Sequence, residues 1–281
     1  MNTKLYTLIT GASEGFGRAL AVECARRKMN LLLVALPGSP LKELARFIEE
    51  NFNVIVYTFE KDLTRTGDCY DLHLEICMLG CSVNVLINNA GIGSSFMFSE
   101  GAPEFFEKQI KLNVTAPTLI TRLFLEQLTE HSKSYIMNVS SLSCFFYLPR
   151  KCVYGSTKSY LHYLSKTLRS ELEHKGVSVT VVCPGGMNTT THHTLMNTMG
   201  TWAAKKSSMN PEEVAVEAID GLLKGKEVII PGMLNKFFRA LDFILPAVIK
   251  KVITKKQMNK LPTPVFNLQH QFINETLRRV I

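Results

Sequence analysis

The sequence predicts a doubly wound α/β fold: a parallel sheet of about seven strands with helices on both faces, followed by a C-terminal helical extension. Three observations predict it. Short apolar runs rich in β-branched residues recur along the chain, segments with helical spacing separate them, and glycines cluster where the first run meets the first helix. Continuous apolar strands joined by helices call for a sheet buried on both faces, with right-handed crossovers and ligands at the carboxyl ends of the strands.

The strand-like runs are 5–10, 30–35, 54–59, 83–87, 135–139, 177–182 and 227–230, and helical spacing covers 18–28, 41–51, 103–130, 153–174 and 211–223. The alternation stops near Pro231. A dinucleotide-binding and catalytic domain is therefore expected over 1–230, with 231–281 as a basic amphipathic extension packed on or beside it. At 46% hydrophobic and 20% charged residues, the composition excludes disorder, collagen-like repeats and a small disulfide scaffold.

Net charge is +8, but the stretch from Lys236 to Lys260 holds seven basic residues and one acid, Asp242, so it supplies +6 of that excess. This localisation argues against a nucleic-acid-binding face. The seven cysteines sit mostly in apolar patterns and are expected to be reduced. Cys77 and Cys81 are placed four apart on one helix, but no His or second Cys pair follows at ligand spacing, so no metal site is expected. The N-terminus has neither the apolar core nor the cleavage site of a signal peptide. No run approaches about 18 apolar residues, so no transmembrane helix is expected and the chain is expected to be cytoplasmic.

Taken in order, the first element with chemistry is Thr10-Gly11-Ala12-Ser13-Glu14-Gly15-Phe16-Gly17, between the first strand and the helix from Arg18. Glycines there permit a close backbone approach, and the helix N-terminus offers N–H groups and positive dipole to a pyrophosphate. The second strand ends at Leu36, where sites that prefer NAD place a carboxylate for the ribose hydroxyls. The next turn, Pro37 to Pro40, offers N–H groups and a hydroxyl to a 2′-phosphate, although it lacks an Arg and Glu14 opposes an anion. On balance NADP(H) is expected over NAD(H). Asp62-Leu63 follows the third strand, suited to an adenine amino group, and Asn88-Asn89-Ala90-Gly91 ends the fourth, where a ring and ribose lie against backbone.

Asn113 falls inside the long helical run, where Asn is unfavourable without a partner; a water-linked contact toward Lys158 would supply one. Beyond the fifth strand come Ser140 and Ser141, competing hydroxyls for a substrate carbonyl. Tyr154 and Lys158, four apart at a helix start, project from one face, so the ammonium is expected to lower the phenol pKa.

This ordered set, closed by Pro184-Gly185 after the sixth strand, resembles the short-chain dehydrogenase/reductase family over residues 1–230. The resemblance implies a Rossmann-type fold. It implies that Tyr154 is the general acid-base, that Lys158 binds nicotinamide ribose and tunes the phenol, that Ser141 positions the carbonyl, and that Asn113 supports a proton-relay water. It further implies that Gly11, Ser13, Gly15, Phe16 and Gly17 bind pyrophosphate and that Asp62 and Leu63 meet adenine. Asn89, Ala90 and Gly91 would meet ribose, while Pro184, Gly185 and Thr189 would lie near the carboxamide. The implied reaction is hydride transfer between nicotinamide and a carbonyl or secondary alcohol. The family also implies a homo-oligomer, and Leu36 is where this sequence departs from the pattern.

The connection from Met187 to Asn210 is long and rich in Thr, Met and His, as lids often are; His192 and His193 are assigned no role. The extension's apolar and basic residues suit packing on the domain, a peripheral membrane contact, a pocket for an acyl chain, or a subunit interface. Short-chain reductases of apolar, lipid-like carbonyls have similar tails. The rival reading is a non-catalytic dinucleotide-binding sensor or scaffold.

Overall fold

A computed structural model describes residues 4–189 and 206–244. His192, His193 and Trp202 of the long connection, and Lys250, Lys251, Lys255 and Lys256 of the extension, lie outside the described residues.

Seven parallel strands run β1 (Leu5–Thr10), β2 (Asn30–Ala35), β3 (Val56–Glu60), β4 (Ser82–Asn88), β5 (Ser134–Val139), β6 (Val177–Val182) and β7 (Val228–Ile229). Their spatial order is β3-β2-β1-β4-β5-β6-β7. The direction of winding reverses between β1 and β4, so the crevice where ligands bind in such sheets opens between the ends of those two strands.

Alternate strand residues feed two cores. Ile9, Leu31 and Leu33 face one, shared with α1 (Gly15–Arg26), α2 (Leu41–Phe52) and α7 (Pro211–Leu223). Leu8, Leu32 and Val34 face the other, shared with α3 (Thr66–Met78) and α5 (Ala116–Glu130). Burial on both faces is why the strands read as unbroken apolar runs. Truncating a fully buried leucine such as Leu33 to alanine costs about 2–5 kcal/mol in such a core.

Two details correct the sequence reading. The run 103–130 is α4 (Pro103–Ile110) and α5 with a wide π-turn, Lys111–Thr115, between them. Cys77 and Cys81 do not share a helix: α3 stops at Met78, Gly80 turns the chain at φ +64°, and Cys81 is buried just before β4. Among the described residues no helix is long and apolar enough to cross a membrane, and no group of three His, Cys, Asp or Glu is placed to hold a metal.

The first part of the extension, α8 (Met233–Ile244), lies on the domain. Its Asn235 is buried against Gly185, Lys236 pairs with Glu217 at 2.6 Å, and Arg239 stacks 4.1 Å from the Phe145 ring centroid.

Candidate active site

At the end of β1 the chain turns through Gly11 (φ +65°) and Gly15 (φ +54°), conformations that disfavour a side chain. Gly17 is required for a different reason: a Cβ there would stand 1.9 Å from the Gly11 carbonyl oxygen. The turn is clamped to the exit of β4. The Thr10 hydroxyl accepts from the N–H groups of Asn89 and Ala90 at 3.0 and 3.1 Å, and the Asn89 amide donates to the carbonyls of Thr10 and Gly11, both at 3.0 Å. Asn89 thus holds the turn with its side-chain nitrogen.

No side chain caps α1, and no acid sits in its first turn. Its first N–H groups and positive end face the glycine turn, with Phe16 buried in the core beneath. Residues of this kind fit the pyrophosphate of a dinucleotide. Thr189 lies over the same turn, its Cβ 3.1 Å from where a Gly15 Cβ would be.

Beside this cradle is a cleft of about 470 Å³ between the start of α1 and α2, lined by Ser13, Glu14, Gly15 and Arg18 and by Pro40, Glu43, Leu44 and Phe47. Arg18 escaped the sequence reading, which sought a cation only after β2. Its one signal was its place a helical turn beyond Glu14. Leu36, just past β2, brings no carboxylate, and the Ser39 hydroxyl in the following turn is buried with no partner. Asp62 accepts from the Thr64 N–H and hydroxyl at 3.1 and 2.7 Å, while Leu63 packs into the second core.

A second group of polar side chains forms where α6 (Cys152–Leu172) passes the end of β5. Lys158 is buried, donates to the Val139 carbonyl at 2.8 Å, and lies 5.8 Å from the Tyr154 ring centroid. Burial pulls its amine down to about 8. Ser140 is committed elsewhere, its hydroxyl donating to the Lys158 carbonyl at 2.7 Å. Ser141 is the serine near enough to the Tyr154 phenol to pull its pKa down, and its Oγ accepts from the Ser143 N–H at 3.2 Å.

The phenol pKa departs from the sequence expectation. Burial pushes it up, the Ser141 contact pulls it down, and Cys144 adds a further upward push. Burial wins because Lys158 stands over the ring with its ammonium bonded to Val139, rather than against the phenol oxygen. A second cation was not anticipated: Lys151 lies 5.1 Å from the Tyr154 ring centroid and reaches the Ser94 carbonyl at 3.5 Å.

Asn113 is fully buried in the π-turn. Its Oδ1 accepts from the Ile92 N–H at 2.9 Å, and its Nδ2 donates to the Ile92 carbonyl at 3.0 Å and to the Thr157 hydroxyl at 3.1 Å. Direct protein partners thus satisfy this mid-helix Asn. A Cβ on Gly91 would lie 3.1 Å from Asn113 Oδ1 and 3.3 Å from Lys158 Nζ, so only glycine lets the β4 loop run between them at ease. Below, a buried polar chain ties the layers: Asn88 donates to Thr121 at 2.9 Å and to Asn138 at 2.8 Å, and Asn138 donates to Ser165 at 2.9 Å. Pro184 accepts from the Leu142 N–H at 2.8 Å, fastening the β6 exit to the loop that carries Ser141.

The site therefore gathers a phosphate cradle on one side of the crevice and a phenol with two amines on the other. The profile of the short chain dehydrogenase family matches residues 6–200. A very-long-chain 3-oxoacyl-CoA reductase of Rattus norvegicus is 32% identical over 189 residues, which is 64% of this chain and 58% of that protein. The chain thus matches less than two thirds of the length of that relative. Among solved structures, a bulky-bulky ketone specific alcohol dehydrogenase from Comamonas testosteroni superimposes with a TM-score of 0.73 at 27% identity, covering 94% of this chain and 96% of that one. A short-chain dehydrogenase from Sphingobium yanoikuyae in complex with NADPH does so at 0.72 and 26%, covering 92% and 96%. With a family match over most of its length, the glycine cradle at the β1 exit and the Tyr154–Lys158 pair on α6, the chain belongs to the short chain dehydrogenase family of oxidoreductases.

Proposed function

We propose that this protein reduces a ketone on an extended apolar substrate, with NADPH as hydride donor and Tyr154 as the acid that protonates the nascent alkoxide. The observation that carries the reading is the placement of Tyr154 one helical turn from the buried Lys158 on α6, the amine 5.8 Å from its ring centroid, at the end of β5 where Ser141 follows. When bound, the dinucleotide supplies the hydride. Ser141 and Tyr154 would hold the carbonyl oxygen between two hydroxyls, and the raised phenol pKa keeps the proton on Tyr154 until charge develops on that oxygen. Lys158 and Lys151 add positive potential beside the ring as the phenolate forms.

Two features support NADPH: Leu36 in place of a carboxylate, and the cation Arg18 in the cleft. For an apolar substrate, the loop past Gly93 and Ser94 runs into the contacting rings of Phe96, Phe98, Phe105 and Phe106, and the matched relatives' names point to long acyl and bulky ketone substrates.

The test is nicotinamide absorbance with each cofactor against 3-oxoacyl thioesters of increasing chain length and small ketones, beside a binding titration. The expected result is turnover with NADPH that rises with chain length. Dinucleotide binding without turnover on any carbonyl would overturn the reading in favour of a sensor.

A further inference from the structure

We infer that Cys144 and Cys183 form a peroxide-reactive thiol pair, whose oxidation to a disulfide locks the loop carrying Ser141. Their sulfurs are 3.9 Å apart although the residues are 39 positions apart in the chain. Cys144 ends the short helical turn that follows Ser141, and Cys183 directly follows β6, just before Pro184-Gly185.

The two thiols are unequal. The hydrogen bond from Cys183 holds the Cys144 thiol below the ordinary cysteine value despite burial, with help from Ser140 and the Arg239 charge. The same hydrogen bond, with burial, pushes Cys183 well above it. Cys144 is partly exposed and Cys183 is fully buried. By contrast burial pushes Cys24 up to about 12 and Cys69 up to about 11, which makes them inert. One sulfur is therefore partly exposed and the more easily ionised, and the other is buried and harder to ionise behind it, the arrangement of an attacking and a resolving cysteine.

The chemistry closes with hydrogen peroxide as the oxidant. The Cys144 thiolate attacks one peroxide oxygen, the O–O bond breaks, and the departing hydroxide takes a proton to become water, leaving a sulfenic acid. The Cys183 sulfur then attacks the Cys144 sulfur, the S–S bond forms, the S–O bond breaks, and the leaving hydroxide carries off the Cys183 proton as a second water. Two thiols lose two electrons and one peroxide gains them.

A disulfide bond is about 2.05 Å long, so the sulfurs must close most of their present separation. The Leu142 N–H bond to the Pro184 carbonyl at 2.8 Å already joins the two segments. Contraction here pulls on Ser141 from one side and on Gly185, packed against Asn235, from the other. The effect on turnover rests on the oxidoreductase reading above; the linkage itself does not.

The test treats the reduced full chain with hydrogen peroxide, quenches with an alkylating agent under denaturing conditions, and maps peptides without reduction. The expected result is a peptide joining Cys144 to Cys183, two hydrogens lighter than the sum of its parts. NADPH-dependent turnover should fall about ten-fold or more and return with dithiothreitol. In Cys183→Ala, Cys144 should instead be trapped as a sulfenic acid by dimedone. The pair is overturned if the linked peptide is absent, or if Cys144 joins Cys77 or Cys152 instead. The lock is overturned if the linked protein turns over like the reduced one. A reduced protein with no turnover counts against the enzyme reading alone, because the linkage is read by mass.

Discussion

Around Gly11, Gly15 and Gly17 the protein works with main chain: the cradle exists because side chains are missing, and its polarity is that of an uncapped helix end. Across the crevice, around Tyr154, the functional groups are side chains, and nearly every one is bonded to the backbone of another element. Lys158 holds Val139, Ser140 holds the backbone of α6, and Asn113 holds Ile92. The first region tolerates no added atom; the second tolerates no lost one. Substitutions should therefore injure the glycine side through dinucleotide affinity and the tyrosine side through turnover.

The sharpest division is expected from Tyr154→Phe, which keeps the ring and removes the acid. Turnover should drop by about 10² to 10⁴, the usual worth of general acid–base help, while a fluorescence titration gives dinucleotide affinity close to wild type. A parallel loss of affinity would place Tyr154 with the binding groups and erase the comparison. Gly17→Ala is the converse. Its Cβ must displace the Gly11 carbonyl, and an overpacking cost of about 1–3 kcal/mol corresponds to roughly 5- to 150-fold weaker dinucleotide binding by calorimetry. Wild-type affinity in that variant would show that the turn is not the cradle.

A smaller effect separates the two cofactors. Arg18→Ala should weaken NADPH about ten-fold, the lower range for a hydrogen bond to a charged group, and leave NADH alone. Equal loss of both would assign Arg18 to the pyrophosphate.

The smallest effect is thermodynamic. Lys158 titrates at about 8 when folded against 10.5 when free, so between these values the unfolded chain binds more protons and stability rises with pH. The penalty of burying the ammonium is complete below pH 8 and gone above about 10.5. Lys158→Met should therefore melt a few degrees above wild type at pH 7, with the gap closing as pH climbs through that window. A gap independent of pH would mean that packing, not the buried charge, sets it.

Much of this arrangement was readable in the sequence. Strands buried on both faces betray themselves as apolar runs, and β1, β2 and β6 fall at their expected residues. Tyr154 and Lys158 were readable because four residues on a helix is a spatial statement. The choice between Ser140 and Ser141 was not, since both follow the same strand and only the packing of α6 commits one of them. Arg18 and Pro40 meet at one cleft across two elements, and Cys144 meets Cys183 because β5 and β6 are neighbours; no local spacing records either meeting. The phenol pKa was misread because a sequence gives the distance between two side chains along a helix but not the dielectric around them.

The π-turn at Lys111–Thr115 also left no periodic mark, yet it constrains the chain's future variation. Gln109 and Asn113 both grip the backbone at Ile92, while Ile120, Phe124 and Leu128 farther along point into the sheet. An ordinary helix turns about 100° per residue and would have to give up one bearing to satisfy the other. Deleting a single residue here would swing either the amides off the loop or the apolar stripe out of the core. The segment is therefore a place where amino acids can be exchanged far more freely than they can be counted differently.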